Sequence, residues 1–179
     1  MKKYLIILLL AIYQNNVFSQ DIYEGYNYNV KLLFVKDYLS LKFDGEMDFN
    51  LLHFIGYGTS EYYIRADFDI EDKQRHNFPC NSKLFLVTND ESQIELTAVI
   101  TGMYPEQGEY SSAYALFPIT IEQLQELFTG VKLMKMNLLK YKGENKVDKI
   151  IPQKKFGKDK FGIYLKKAYE AIENKKKNM

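Results

Sequence analysis

The sequence predicts a mainly β, α+β fold: an antiparallel sandwich or open barrel with a short capped helix and one packed C-terminal helix. Three observations predict it. Apolar and polar residues alternate with a period of two through much of the chain, as half-buried strands require. Turn-forming residues divide these stretches into short segments. Helical periodicity appears only late, after residue 120. No internal repeat or long linker divides residues 20–179, so they read as a single β-rich domain.

The chain opens with a leader. Lys2 and Lys3 precede Tyr4–Tyr13 (YLIILLLAIY), ten apolar residues without a charge. A membrane-crossing helix needs about 20 such residues at ~1.5 Å of rise each. Ten fall short, and polar Gln14, Asn15 and Asn16 follow at once. Val17-Phe18-Ser19 then sets small or β-branched residues at the positions that a signal peptidase reads. The expectation is an exported protein, periplasmic or extracellular, cleaved near Ser19/Gln20. A lipid anchor would need a cysteine just after the apolar run, and the only cysteine is Cys80. One cysteine also excludes an internal disulfide, so a hydrophobic core must hold the domain. Cys80, after Pro79, reads as a tucked-in small apolar residue rather than a free thiol.

The elements follow in order. Tyr26, Tyr28, Val30, Leu32 and Phe34 share one face of a first strand, and Leu39, Leu41 and Phe43 one face of a second. The second ends at the turn signal Asp44-Gly45. Residues 49–57 are apolar, and Gly56-Tyr57-Gly58 is a turn, lacking the third glycine of a nucleotide-binding loop. Tyr62, Ile64, Ala66, Phe68 and Ile70 alternate with Tyr63, Arg65, Asp67, Asp69 and Glu71, the cleanest strand in the chain. After a polar loop (72–82), segments 83–88 and 93–100 flank Asn89-Asp90-Glu91-Ser92 as a hairpin. Residues 101–112 read as a loop, and 113–119 as a strand at an edge or ending at Pro118, which has no N–H to donate. Thr120 and Gln123 form a capping box before a helix over 121–128 that Gly130 stops. A strand over 131–139 and a loop over 143–152 come next. The last helix runs from about 159 to 175, with Phe161, Tyr164, Leu165, Ala168 and Ile172 on one stripe and Lys175–Lys177 fraying.

The charge is balanced but divided. Residues 20–131 hold 7 basic and 18 acidic side chains; residues 132–179 hold 15 basic and 5 acidic. A basic end can seek anionic partners, or can fold back on an acidic body. The second reading is favoured, because the basic residues are nearly all Lys and both arginines, Arg65 and Arg75, lie in the acidic half. Nucleic-acid sites lean on Arg, so no nucleic-acid partner is expected, and membrane contact through the Lys-rich end is a lesser possibility.

From Lys83 onward the order of features resembles an uncharacterised family of small exported bacterial proteins. The resemblance rests on the hairpin KLFLVTNDESQIELT, the strand leading into PITIEQLQEL, the Gly130-Val131 step into a strand, and the terminal helix KFGIYLKKAYEAI. Where the family carries an Ile-Arg-Ile-like triplet, this chain reads Leu133-Met134-Lys135-Met136. The resemblance implies export and a β-rich domain with a C-terminal amphipathic helix, and supplies no catalytic residue.

Chemical motifs are sparse. His76, Cys80 and Asp72 share one loop, but zinc needs three or four converging ligands and no fourth is visible. Cys80 and His76 alone do not make a nucleophilic dyad. Asp67, Asp69 and Glu71 share a strand face at ~7 Å spacing, which glycosidases use, yet an exposed strand face is where carboxylates ordinarily stand. His53, between Leu52 and Phe54, reads as a satisfied semi-buried residue. Tyrosines number 15 with no Trp, and Tyr62 and Tyr63 point to opposite faces, so no single aromatic platform for a sugar emerges. No catalytic, metal or cofactor residue is assigned. The leading expectation is a non-enzymatic envelope or secreted module that binds a protein or glycan. A small hydrolase and a peripheral membrane protein are the alternatives.

Overall fold

The computed structural model describes residues 22–27, 30–35, 39–42, 46–70, 76–105, 111–140, 146–152 and 159–179. The expected leader and cleavage position, the expected turn at Asp44-Gly45, Glu71 and Asp72 lie outside them. Two antiparallel sheets face each other, as the alternation predicts, and neither closes into a barrel.

The larger sheet holds β1 (Ile22–Asn27), β2 (Val30–Val35), β3 (Leu39–Lys42), β4 (Glu46–Gly56), β5 (Thr59–Ile70), β9 (Ile100–Pro105) and β10 (Ser111–Ile119). Its order is β1-β2-β4-β5-β10-β9, with β3 also paired to β4. The smaller sheet holds β6 (His76–Asn77), β7 (Lys83–Thr88), β8 (Gln93–Thr97), β11 (Val131–Lys140) and β12 (Lys146–Pro152), in the order β12-β11-β7-β8 with β6 against β11. Two helices complete the described residues, α1 (Ile121–Leu127) and α2 (Lys160–Lys177).

The predicted first strand is in fact two, β1 and β2, paired antiparallel from Asn27 with Val30 to Ile22 with Val35. β2 and β3 share one edge of β4. Leu52 faces Phe34 and Phe49 faces Leu39, so five residues of advance along that edge match three on β4. Asn50 lies buried beside this mismatch. Its side-chain amide donates to the Val35 carbonyl at 2.9 Å, and its carbonyl oxygen accepts from the Tyr164 hydroxyl at 3.2 Å. One polar residue thereby ties the irregular edge to α2.

β4 and β5 form the longest hairpin, closed by Tyr57 and Gly58 at φ of 50° and 75°. Two successive left-handed residues make a type I′ turn, whose twist matches that of paired strands. The predicted hairpin 83–100 divides at Ala98-Val99. The Ala98 amide donates to the carbonyl of Ser82, just before β7 of the smaller sheet, and the Val99 amide donates to that of Leu116 in the larger. The chain thus changes sheets within two residues. Residues 101–105 and 111–112 are strand rather than loop, because Gly102 serves close approach instead of a turn: a Cβ there would meet the Tyr114 ring at 2.6 Å. Residues 146–152 are likewise strand, paired along β11. β10 is flanked by β5 and β9 only as far as Leu116; Pro118 lies beyond β9, where a missing N–H costs no ladder bond.

The main core lies between the sheets. Leu33, Phe49, Leu51 and Phe117 of the larger sheet meet Leu84, Leu86, Met134 and Met136 of the smaller, with Leu124 and Leu127 of α1 and Phe161, Leu165, Ala168 and Ile172 of α2. Thr120 and Gln123 make both bonds of the capping box. α2 lies against β2 and β4, so the basic C-terminal part does fold back on the acidic half. Phe161 meets Phe49 edge-on at 5.3 Å between ring centres. The helix continues through Lys175–Lys177 instead of fraying; lysines complement the helix C-terminal dipole, and Lys176 pairs with Glu173 at 2.6 Å. No helix among the described residues is long and apolar enough to cross a membrane.

Candidate functional site

A sandwich sheet normally turns one face to the core and a polar face outward. The larger sheet departs from this. Its even-numbered residues on β2, β4, β10 and β9 form a second apolar cluster of Leu32, Phe34, Leu52, Phe54, Ile100, Tyr114 and Leu116, joined by Tyr63 of β5. All eight are buried and all belong to this sheet; among the described residues none of the smaller sheet or of either helix joins them. The registers set them in rows. Leu32 stands opposite Phe54, the row Phe34-Leu52-Tyr63 runs through three strands, and Leu116 stands opposite Ile100. Phe54 and Tyr63 meet edge-on at 5.5 Å. Burying side chains of this size contributes roughly 1.5–3 kcal/mol each.

Within this face β5 carries Arg65 and Asp67. The expectation of an exposed acidic strand face is overturned here: Tyr63 and Arg65 are buried, because β5 is a central strand with apolar neighbours on both sides. The Arg65 guanidinium holds Asp67 through two bonds, Nε at 2.6 Å and Nη2 at 2.5 Å, and lies over the Tyr114 ring at 5.8 Å. Burial pushes the Asp67 carboxyl above its usual range, and the Arg65 charge opposes that shift. A fork-to-fork pair of this kind satisfies both charges locally. Asp67 is therefore engaged, which removes it as half of a glycosidase carboxylate pair. The Asp69 side chain lies outside the described residues.

A second constellation sits where the end of α2 crosses the β4–β5 hairpin. His53 is fully buried, not semi-buried, and stacks on Tyr62 at 4.2 Å. Its Nε2 lies 2.8 Å from Ser60 Oγ, and its Nδ1 has no hydrogen-bond partner among the described residues. The Tyr62 hydroxyl donates to Glu173, which also accepts from Lys176. Tyr169 and the Lys176 ammonium approach the same Tyr62 ring at 5.5 and 5.8 Å. Burial, helped by the Lys176 charge, lowers the His53 pKa to about 4, while the Glu173 charge opposes the shift. Burial and the bond to Glu173 push the Tyr62 hydroxyl far up. The Ser60–His53 contact has the separation of a nucleophile and base, but among the described residues no carboxylate orients Nδ1, and the imidazole is a weak base. This group fastens α2 to the sheet.

Of the Cys80 loop, Asp72 and the His76 side chain lie outside the described residues, and Cys80 itself is described. Phe78 and Pro79 are buried, whereas Cys80 is exposed, contrary to the expectation of a tucked-in residue. The Ser82 amide donates to the Pro79 carbonyl and Asn81 takes φ of 61°, so Cys80 occupies the outer corner of a tight turn. Among the described residues no three His, Cys, Asp or Glu side chains gather as metal ligands. As predicted, Tyr62 and Tyr63 enter opposite clusters. The second apolar face was not anticipated, although unbroken apolar runs such as Leu32–Val35 and Ala113–Phe117 are the signal of a strand buried on both sides. Comparison with protein-family models, with curated proteins and with solved structures finds no match to this chain.

Proposed function

We propose that this is an exported, non-enzymatic binding module whose recognition face is the outer face of the larger sheet. The observation that carries the reading is the eight-residue apolar cluster, whose members among the described residues all belong to that sheet. Apolar side chains on the outward face of a sandwich sheet, where polar residues ordinarily stand, suit a face that a partner segment covers. The aliphatic residues Leu32, Leu52, Ile100 and Leu116 suit an apolar protein segment better than a glycan, and Arg65 and Asp67 neutralise each other within the face. The His53 group, lacking an acid partner and engaged in holding α2, does not favour hydrolysis.

The reading is tested on a chain beginning at Gln20. An environment-sensitive apolar dye is expected to bind it while near-ultraviolet circular dichroism stays native. Replacing Phe54 by Ser is expected to weaken dye binding at least threefold, and replacing exposed Ile163 by Ser to leave it unchanged. A natively folded chain that leaves the dye at background would overturn the proposal.

A further inference from the structure

We propose that the outer edge of β8 docks an extended segment of a partner protein, which adds to the smaller sheet as a further strand with an aliphatic residue opposite Leu96 and a basic one opposite Glu95. This site is separate from the outer face of the larger sheet and does not rest on that reading. β8 ends the strand order of the smaller sheet, and among the described residues it pairs with β7 alone. The Thr88 amide donates to the Ser92 carbonyl at 2.9 Å, and the Ala98 amide to the Ser82 carbonyl at 2.8 Å. Bonded and non-bonded pairs alternate along an antiparallel ladder. Leu86–Ile94 and Leu84–Leu96 are therefore the bonded pairs, and Phe85–Glu95 and Lys83–Thr97 are not. Glu95 and Thr97 thus turn their amides and carbonyls away from β7. Both residues line an open cleft of about 550 Å³, a size that holds ligands in other proteins. Two donors and two acceptors at strand spacing on a cleft wall are what an added strand satisfies.

The side chains around the cleft define the guest. Sheet edges are commonly blunted with Lys or Pro. The opposite edge strand, β12, carries Lys146, Lys149 and Pro152, whereas β8 (QIELT) carries neither type. Pro118 at the end of β10, Gln123 of α1 and Val99, which is 46% exposed, complete the cleft. Side chains alternate across a sheet, so a guest residue opposite Leu96 turns to this wall, and an aliphatic one covers Val99 and Pro118. The guest residue opposite Glu95 turns to the outer side, beside that carboxylate. Lys83 holds Oε1 of Glu95 at 2.5 Å, which leaves Oε2 for a basic residue of the guest. A second copy of β8 in bonded register offers Gln93, Glu95 or Thr97 at that position and brings no cation. The charge therefore favours a basic partner segment over a second copy.

The test uses the intact 179-residue chain, isotope-labelled for nuclear magnetic resonance, and the capped peptide Thr-Val-Thr-Leu-Lys-Val-Thr. In antiparallel register its leucine falls opposite Leu96 and its lysine opposite Glu95. Millimolar peptide is expected to shift the amide signals of Glu95 and Thr97 and to slow their hydrogen exchange at least tenfold. N-methylation of the peptide's lysine removes the donor to the Glu95 carbonyl and is expected to weaken binding at least tenfold. N-methylation of its leucine, whose N–H turns away from β8, is expected to change binding less than twofold. Glu95→Lys, at an exposed position, is expected to weaken binding at least fivefold; unchanged affinity would overturn the basic preference. No shift at millimolar peptide, or equal losses from the two N-methylated peptides, would overturn the docking edge. So would shifts of the Glu95 and Thr97 amides with protein concentration alone, which would give the edge to a second copy. Shifts confined to Leu52, Phe54 and Leu116 would overturn the edge and leave the binding-face reading in place.

Discussion

Replacing Gly162 by Ala sets two physical effects against each other. Gly162 is in the first turn of α2, and alanine is favoured over glycine in a helix by up to about 1 kcal/mol, so propensity alone expects a more stable protein. The surroundings of Gly162 say the opposite. A Cβ there would stand 2.5 Å from the Leu127 carbonyl oxygen and 2.9 Å from both the N and Cα of Gly130. These are backbone atoms of the turn that closes α1. The Gly130 amide donates to Leu127, and the Asn89 side chain donates to Thr129 and Asp159, so the turn is held from both sides. Gly130 itself sits at φ of 106°, with little freedom to yield. Restoring ordinary contact requires a shift of about 1 Å, and overpacking of this kind costs about 1–3 kcal/mol. The net expectation is a loss of about 1 kcal/mol or more. With a urea slope of about 2 kcal/mol per molar, the unfolding midpoint should fall by about 0.5 M or more. Ile163→Ala, one residue on and exposed, should stay within about 0.5 kcal/mol of the parent. A rise in the Gly162→Ala midpoint would refute the close approach of α1 and α2.

Other perturbations test other parts of the fold. His53 is held at about 4 by burial first and the Lys176 charge second, against an ordinary 6.5. The unfolded chain takes up a proton as pH falls through 6.5 and the folded chain does not until about 4. Stability is therefore full above 6.5 and is lost progressively between the two, by about 3 kcal/mol at most. His53→Gln should lose less than the parent between pH 6.5 and 4 in urea titrations; parallel pH profiles would contradict the burial of a neutral imidazole. Tyr57→Asn should raise stability by about 0.5 kcal/mol, because Asn tolerates the left-handed first position of a type I′ turn; a lower thermal midpoint would count against that turn. Thr120→Ala should cost about 1 kcal/mol through loss of the capping box, readable as a lower urea midpoint.

Local signals in the sequence located several elements well. The Thr120/Gln123 spacing, the Phe161–Ile172 stripe and the four-residue connection after Thr88 each depend on neighbours within a few positions, and each is found. Features set by distant partners were harder to read. Lys146–Pro152 has a charged sequence and becomes strand because β11 supplies a partner along its length. Gly102 looked like a loop residue because its role is defined by Tyr114, twelve positions away. The alternation along β5 is legible in the sequence, but what faces each side depends on β4 and β10, so the burial of Arg65 is not. For the same reason the second apolar face escaped a strand-by-strand reading. It exists only once Leu52, Tyr63 and Leu116 are brought side by side.

The two-faced larger sheet is tested most directly by photo-activated carbene labelling of the folded chain starting at Gln20, read out by peptide mass spectrometry. The outer-face residues Leu52, Phe54 and Leu116 are expected to label more strongly than Leu84, Leu86 and Met134, which lie between the two sheets. Equal protection of both sets in that shortened chain would contradict the assignment of this face to a partner.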